Sequence, residues 1–108
     1  MRERAVRVVP QKAITVAIDN PRRGRSYGVV ANISAGGACV LTDARYPVGD
    51  SVDLELSFFR ELQVVPAAGR IVWMSGSIEA GAVRYGLAWS AGFADVTLRS
   101  LIERAGSA

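Results

Sequence analysis

Asn32-Ile33-Ser34-Ala35-Gly36-Gly37 is the stretch on which the reading of this chain turns. It sets a carboxamide, a hydroxyl and two glycines in one bend, directly after the apolar run Tyr27 to Ala31. Asn and Ser side chains hydrogen-bond their own backbone in bends, and Gly accepts a positive φ, so these types fit a tight turn between two strands. The same groups could equally hydrogen-bond a ligand. At the N-terminus, Arg2-Glu3-Arg4-Ala5-Val6-Arg7 adds guanidinium groups, which match phosphates and stack on planar rings. Bend and arm together point to a planar, anionic ligand such as a nucleotide.

Working outward from the bend, the neighbouring segments read as strands. Lys12 to Ile18 partly alternates and is rich in branched residues, Tyr27 to Asn32 leads into the bend, and Ala38 to Thr42 leaves it. Between the first two, Asp19 to Ser26 is a turn by composition, with Pro21 presetting one dihedral and Gly24 supplying the positive one. Val52, Leu54, Leu56 and Phe58 share one face of the next strand, and Asp53, Glu55 and Ser57 share the other. Val64 to Met74 follows, with Pro66 near its start, and Val83 to Trp89 closes the series. The period then changes. Leu98, Leu101, Ile102 and Ala105 recur at helical spacing after Asp95, a plausible N-cap, with Gly106 past the last turn. About six strands and a terminal helix suit an antiparallel barrel or sandwich.

Composition narrows the chemistry. A chain of 108 residues with an apolar fraction of 50% fits one folded domain. The single cysteine, Cys39, excludes an intrachain disulfide, suits a reducing compartment and, in a short apolar strand, reads as a small hydrophobe. No segment resembles a signal peptide and no apolar run is long enough to span a bilayer, so the expected location is cytoplasmic. Histidine is absent, which removes the commonest general base and the commonest transition-metal ligand. With one cysteine besides, neither a zinc site nor any other bound metal is expected. The net charge of +3 rests almost wholly on arginine, Lys12 being the one lysine, and is mild for a binder of nucleic-acid polymers. With no nucleophile motif either, the residues argue against an enzyme.

The order of these parts resembles the PilZ domain, a small bacterial barrel that binds the second messenger cyclic di-GMP. That family carries Asp or Asn, any residue, Ser, two residues and Gly, which stands here complete as Asn32, Ser34 and Gly37. Gly28-Val29-Val30-Ala31 and Gly37-Ala38-Cys39-Val40-Leu41 are similar to the strands flanking that motif. Val48 to Leu56, Gly69-Arg70-Ile71-Val72-Trp73 and Arg84 to Trp89 are similar to its later strands. The resemblance implies a mainly β fold, a six-stranded antiparallel PilZ-type β-barrel with a C-terminal α-helix. Residues 1–11 would be an arginine-rich arm and 12–108 the barrel and helix.

The resemblance also implies a non-enzymatic cyclic di-GMP receptor or adaptor, with no further cofactor, no membrane insertion and a downstream protein partner. Arg4 and Arg7 would contact phosphate and guanine, Asn32 and Ser34 would hydrogen-bond guanine and sugar-phosphate, and Gly37 would let the backbone pass close to the ligand. One element departs from the pattern. The family's arm holds two arginines separated by three residues, and with Arg7 as the second, the first position is Glu3. Either Arg4 or Arg2 substitutes, or the chain keeps the barrel without the ligand and works as a protein-interaction adaptor in motility or pilus regulation. Among other groups, Arg22, Arg23 and Arg25 read as a solvated loop, Asp53 and Glu55 as a solvated face. Trp73, Trp89 and Phe93 read as buried barrel aromatics rather than a stacking platform.

Overall fold

The computed structural model describes residues 13–59, 62, 64–76 and 82–90. Within them the chain forms six strands: β1 (Thr15–Asn20), β2 (Gly24–Ile33), β3 (Gly37–Thr42), β4 (Ser51–Ser57), β5 (Val65–Ser75) and β6 (Val83–Trp89). All neighbours are antiparallel, and the order β1-β2-β3-β6-β5-β4 closes on itself through β4 and β1. Closure leaves no strand edge open along the sheet. The expected arm and the expected terminal helix both lie outside the described residues.

Alternation along each strand builds the core. Val16 and Ile18 of β1, Val52, Leu54 and Leu56 of β4, and Tyr85 and Leu87 of β6 all point inward and are buried. Asp53 between its buried neighbours is exposed, as a period of two demands. Tyr85 fills one end of the interior. Its hydroxyl donates to the Ala44 carbonyl (3.0 Å) and accepts from the Tyr46 backbone N–H (3.0 Å), and its ring meets that of Tyr46 edge-on at 5.6 Å. A buried phenol is thereby satisfied by the loop that it braces.

The turn expected over Asp19 to Ser26 is much tighter than composition suggested. β1 runs to Asn20 and β2 starts at Gly24, leaving three residues between. The Arg23 N–H donates to the Asn20 carbonyl, and Gly24 follows with φ +73°. A β-turn followed by one left-handed residue is a common three-residue hairpin connection. Arg25 therefore belongs to β2 rather than to a solvated loop. Its guanidinium pairs with Asp19 (2.8 Å) and Glu55 (2.7 Å) across three strands. Those hydrogen bonds, from Arg25 first, hold the Asp19 carboxyl below its ordinary value of 3.8 and push the Arg25 guanidinium up.

Two pairings break register, and both matter for the site. Between β2 and β3 the partners run Val30↔Val40 and then Asn32↔Cys39, so Ala31 is extra. Between β5 and β6 they run Ile71↔Leu87 and then Trp73↔Gly86, so Val72 is extra. A bulge of one residue reverses which face the following side chain takes.

Candidate functional site

The bend is a three-residue connection, Ser34, Ala35 and Gly36, between β2 and β3. The Ser34 N–H donates to the Gly37 carbonyl (2.8 Å), and the Gly37 N–H returns to the Ser34 carbonyl (3.4 Å). The Ser34 side chain is 3% exposed. Its hydroxyl accepts from the Gly36 N–H (3.2 Å) and reaches the Gly37 carbonyl at 3.4 Å. Trp89 clamps the turn from β6: its indole N–H donates to the Ser34 carbonyl (2.9 Å), and its backbone N–H donates to the Gly36 carbonyl (3.0 Å). Ser34 and Trp89 thus make the bend a rigid feature of the barrel.

Gly37 is required by strand packing. It is buried, and a Cβ built there would collide with the backbone carbonyl of Leu87 on β6. The positive φ values among the described glycines fall at Gly24, Gly49 and Gly76, so Gly37 is not the residue that turns the chain. Its lack of a side chain is accounted for by the close approach of β6. The motif's serine and glycine therefore each have a structural occupation of their own.

Asn32 is placed by a register shift. The bulge at Ala31 sets it outward, half-buried, opposite Cys39. Cys39 pairs in turn with Gly86, and Gly86 with Trp73. Asn32, Cys39, Gly86 and Trp73 thus form one outward row across β2, β3, β6 and β5, and a bulge at either end aims its outer members. Gly86 carries the Trp73 indole directly over its backbone, where a Cβ would overlap the ring atoms. Trp73 is 40% exposed, which corrects its assignment to the buried aromatics. The reason is the bulge: strict alternation from Ile71 would turn Trp73 inward. The sequence held a signal, since Ile71-Val72-Trp73-Met74 is apolar throughout and abandons alternation. Trp89 is half-buried and packs on the core, as expected of a barrel aromatic, and Phe93 lies outside the described residues.

A neighbouring outward row runs from Gly37 through Ala88 and Arg70 to Ser51. Beside the bend, Ser51, Arg70, Val72, Ala88, Trp89 and Ser90 line an open groove of about 370 Å³. Arg4 and Arg7 lie outside the described residues, so the structure brings together Asn32, Ser34 and Gly37 alone of the expected site. Cys39 is buried, in keeping with its reading as a small hydrophobe. No group of metal-ligating side chains occurs among the described residues, and no helix among them is long and apolar enough to cross a membrane.

A family model described as the PilZ domain matches residues 1–105. No curated protein matches the chain. Among solved structures, the Bacillus subtilis inhibitor of motility MotI/DgrA is similar at a TM-score of 0.72 and 17% identity, over 97% of this chain and 50% of its own. YcgR of Escherichia coli in complex with c-di-GMP is similar at 0.71 and 15%, over 95% of this chain and 43% of its own. The PilZ domain of a CeSA protein from a cellulose-synthesizing bacterium is similar at 0.61 and 20%, over 94% and 95%. The chain therefore spans half or less of the MotI and YcgR chains, and the likeness to all three is one of fold.

Proposed function

The chain belongs to the PilZ domain family, and on that premise we propose that it is a non-enzymatic cyclic di-GMP receptor that acts as an adaptor in the cytoplasm. The observation that carries this reading is Asn32: a bulge aims it outward at the foot of a rigid bend that also holds Ser34 and Gly37. The ligand would lie on the outward row, with Asn32 hydrogen-bonding a guanine edge. The exposed face of Trp73 would stack on a base, a contact worth about 1–3 kcal/mol per base in single-stranded nucleic-acid sites. Arg7, helped by Arg4, would close over the phosphates, since guanidinium forks bind phosphate bidentately. Ordering of the arm by ligand would present a new surface to a downstream protein.

A second reading rests on two observations. Glu3 stands where the family's first arginine falls, and the Ser34 hydroxyl is engaged within its own turn. On that reading the barrel has shed the ligand and serves only as a protein-interaction adaptor in motility or pilus regulation. Isothermal titration of the chain with cyclic di-GMP, with GMP as control, separates the two. Saturable binding that Arg7→Ala weakens at least tenfold supports the receptor. No binding by the folded chain, with binding gained by Glu3→Arg, supports the adaptor.

A further inference from the structure

The groove beside the bend carries an arginine that the family motif does not assign. We infer that this groove is a second, barrel-borne half of the ligand site, in which Arg70 holds a phosphate of the cyclic dinucleotide. The inference rests on the receptor reading and names further residues for it.

Position is the first argument. Gly37, Ala88, Arg70 and Ser51 follow one another in a single outward row. With strands about 4.8 Å apart, the Arg70 backbone stands two strands, or about 10 Å, from the glycine of the motif. A ligand resting on the bend and extending across β6 arrives at this guanidinium. The adjacent row ends at Trp73, which follows Arg70 by three residues, so base and phosphate contacts would lie side by side on β5.

The second argument is the state of the side chain. Two of the exposed strand arginines, Arg25 and Arg70, differ sharply. Arg25 is occupied by Asp19 and Glu55. Arg70 is exposed and has no carboxylate partner among the described residues. Around it the groove supplies two hydroxyls, Ser51 and Ser90, and an apolar wall, Val72 and Trp89. A volume of about 370 Å³ falls within the range of about 300–1,000 Å³ usual for small-molecule sites. One charge, flanking hydroxyls and an aromatic wall fit a phosphate attached to a flat ring system.

The third argument is rigidity. Arg70 sits on a strand paired on both sides, with Ser51 on β4 and Ala88 on β6. The wall behind it is fixed by the two hydrogen bonds of Trp89 to the bend. Less ordering of the backbone is needed to use such an arginine than one on a chain terminus. With Glu3 at the arm position where the family carries its first arginine, Arg70 would add a cation from the barrel wall.

The test is a calorimetric titration of the full chain, Arg70→Ala and Arg70→Lys with cyclic di-GMP, together with backbone amide shifts of the unmodified chain. Arg70→Ala should weaken binding roughly 10- to 100-fold, the range of a charge-assisted hydrogen bond. Arg70→Lys should fall between, since lysine keeps the charge and loses the fork. The amides of Ser51, Ala88 and Ser90 should shift as ligand is added. Circular dichroism should be unchanged in both variants, because Arg70 is exposed. Binding by the unmodified chain with equal affinity in Arg70→Ala, and silent amides at Ser51 and Ser90, overturns the groove and leaves the receptor reading standing. No binding by the unmodified chain overturns both.

Discussion

The two hairpins of this barrel are built from the same kinds of residue and use them in opposite ways. The β1–β2 connection, Asn20 to Gly24, and the β2–β3 connection, Asn32 to Gly37, each begin on an asparagine and end on a glycine. Asn20 is 6% exposed. Its carbonyl oxygen accepts from the Arg22 and Arg23 N–H groups, and its amide nitrogen donates to Asp50 (3.3 Å) and to the Ser51 carbonyl (3.2 Å). That side chain is spent on the fold. Asn32, by contrast, is swung to the outer wall by a bulge. The glycines invert the contrast: Gly24 has a positive φ in open space, whereas Gly37 sits under a neighbouring strand. Residue type therefore does not separate an asparagine held inside a turn from one set on the outer wall; register does.

The comparison can be broken most decisively at the glycines. Gly37→Ala should destabilise by about 3 kcal/mol or more, since the added methyl meets backbone that cannot yield. Gly24→Ala should cost only about 1 kcal/mol, the penalty of a left-handed alanine in open space. Urea denaturation of both variants checks the ratio, and equal losses would mean that β6 gives way. Next come the asparagines. Asn20→Ala should lower stability by about 1–3 kcal/mol by deleting the hydrogen bonds of a buried side chain, with ligand affinity unchanged. Asn32→Ala should show its larger effect on the ligand, with roughly tenfold weaker cyclic di-GMP binding by a chain that still folds. Asn32→Ala with full affinity would remove the observation on which the receptor reading rests.

Trp73→Ala should weaken binding roughly fivefold or more while leaving the core intact, because a base–aromatic stack is worth about 1–3 kcal/mol. Trp89→Phe keeps an aromatic ring at the groove and tests the bracing of the bend. It deletes the N–H that holds the Ser34 carbonyl and should soften the bend by about 1 kcal/mol. A melting curve and a titration on each variant distinguish a stacking role from a bracing one.

The smallest effect belongs to the ion pairs around Arg25. Asp19 has a folded pKa below its ordinary 3.8, so its contribution to stability is fully present above that value. It is lost as pH falls through the depressed folded value. Thermal melts between pH 5 and 2, at about those limits, should show a slightly shallower acid decline for Asp19→Asn. The difference should shrink further in salt, since these groups are exposed.

Strand existence was legible in the residues because alternation has a fixed meaning on a pleated chain. Val52-Asp53-Leu54-Glu55-Leu56 took the predicted faces without exception. Ends were less legible: β2 starts at Gly24 and not at Tyr27, because pairing with β1 carries the hairpin three residues further than composition alone suggests. Of the site, the types at Asn32, Ser34 and Gly37 were visible, but the buried state of Ser34 was not. Trp73 was placed on the wrong side of the wall, and Arg70 was read only as part of the strand Gly69 to Trp73.

By itself, the sequence determined a mainly β domain, the identity and order of its strands, the position of the bend and the family to which those parts are similar. Alternation and turn chemistry are local, so they can be read along the chain. Only the tertiary structure decided that the six strands close, that Gly37 lies beneath Leu87, and that Asn32 and Trp73 share one outward row. These are matters of register between strands far apart in sequence. One extra residue in either bulge reverses the face on which a side chain appears, and pairing across the barrel decides where that residue goes.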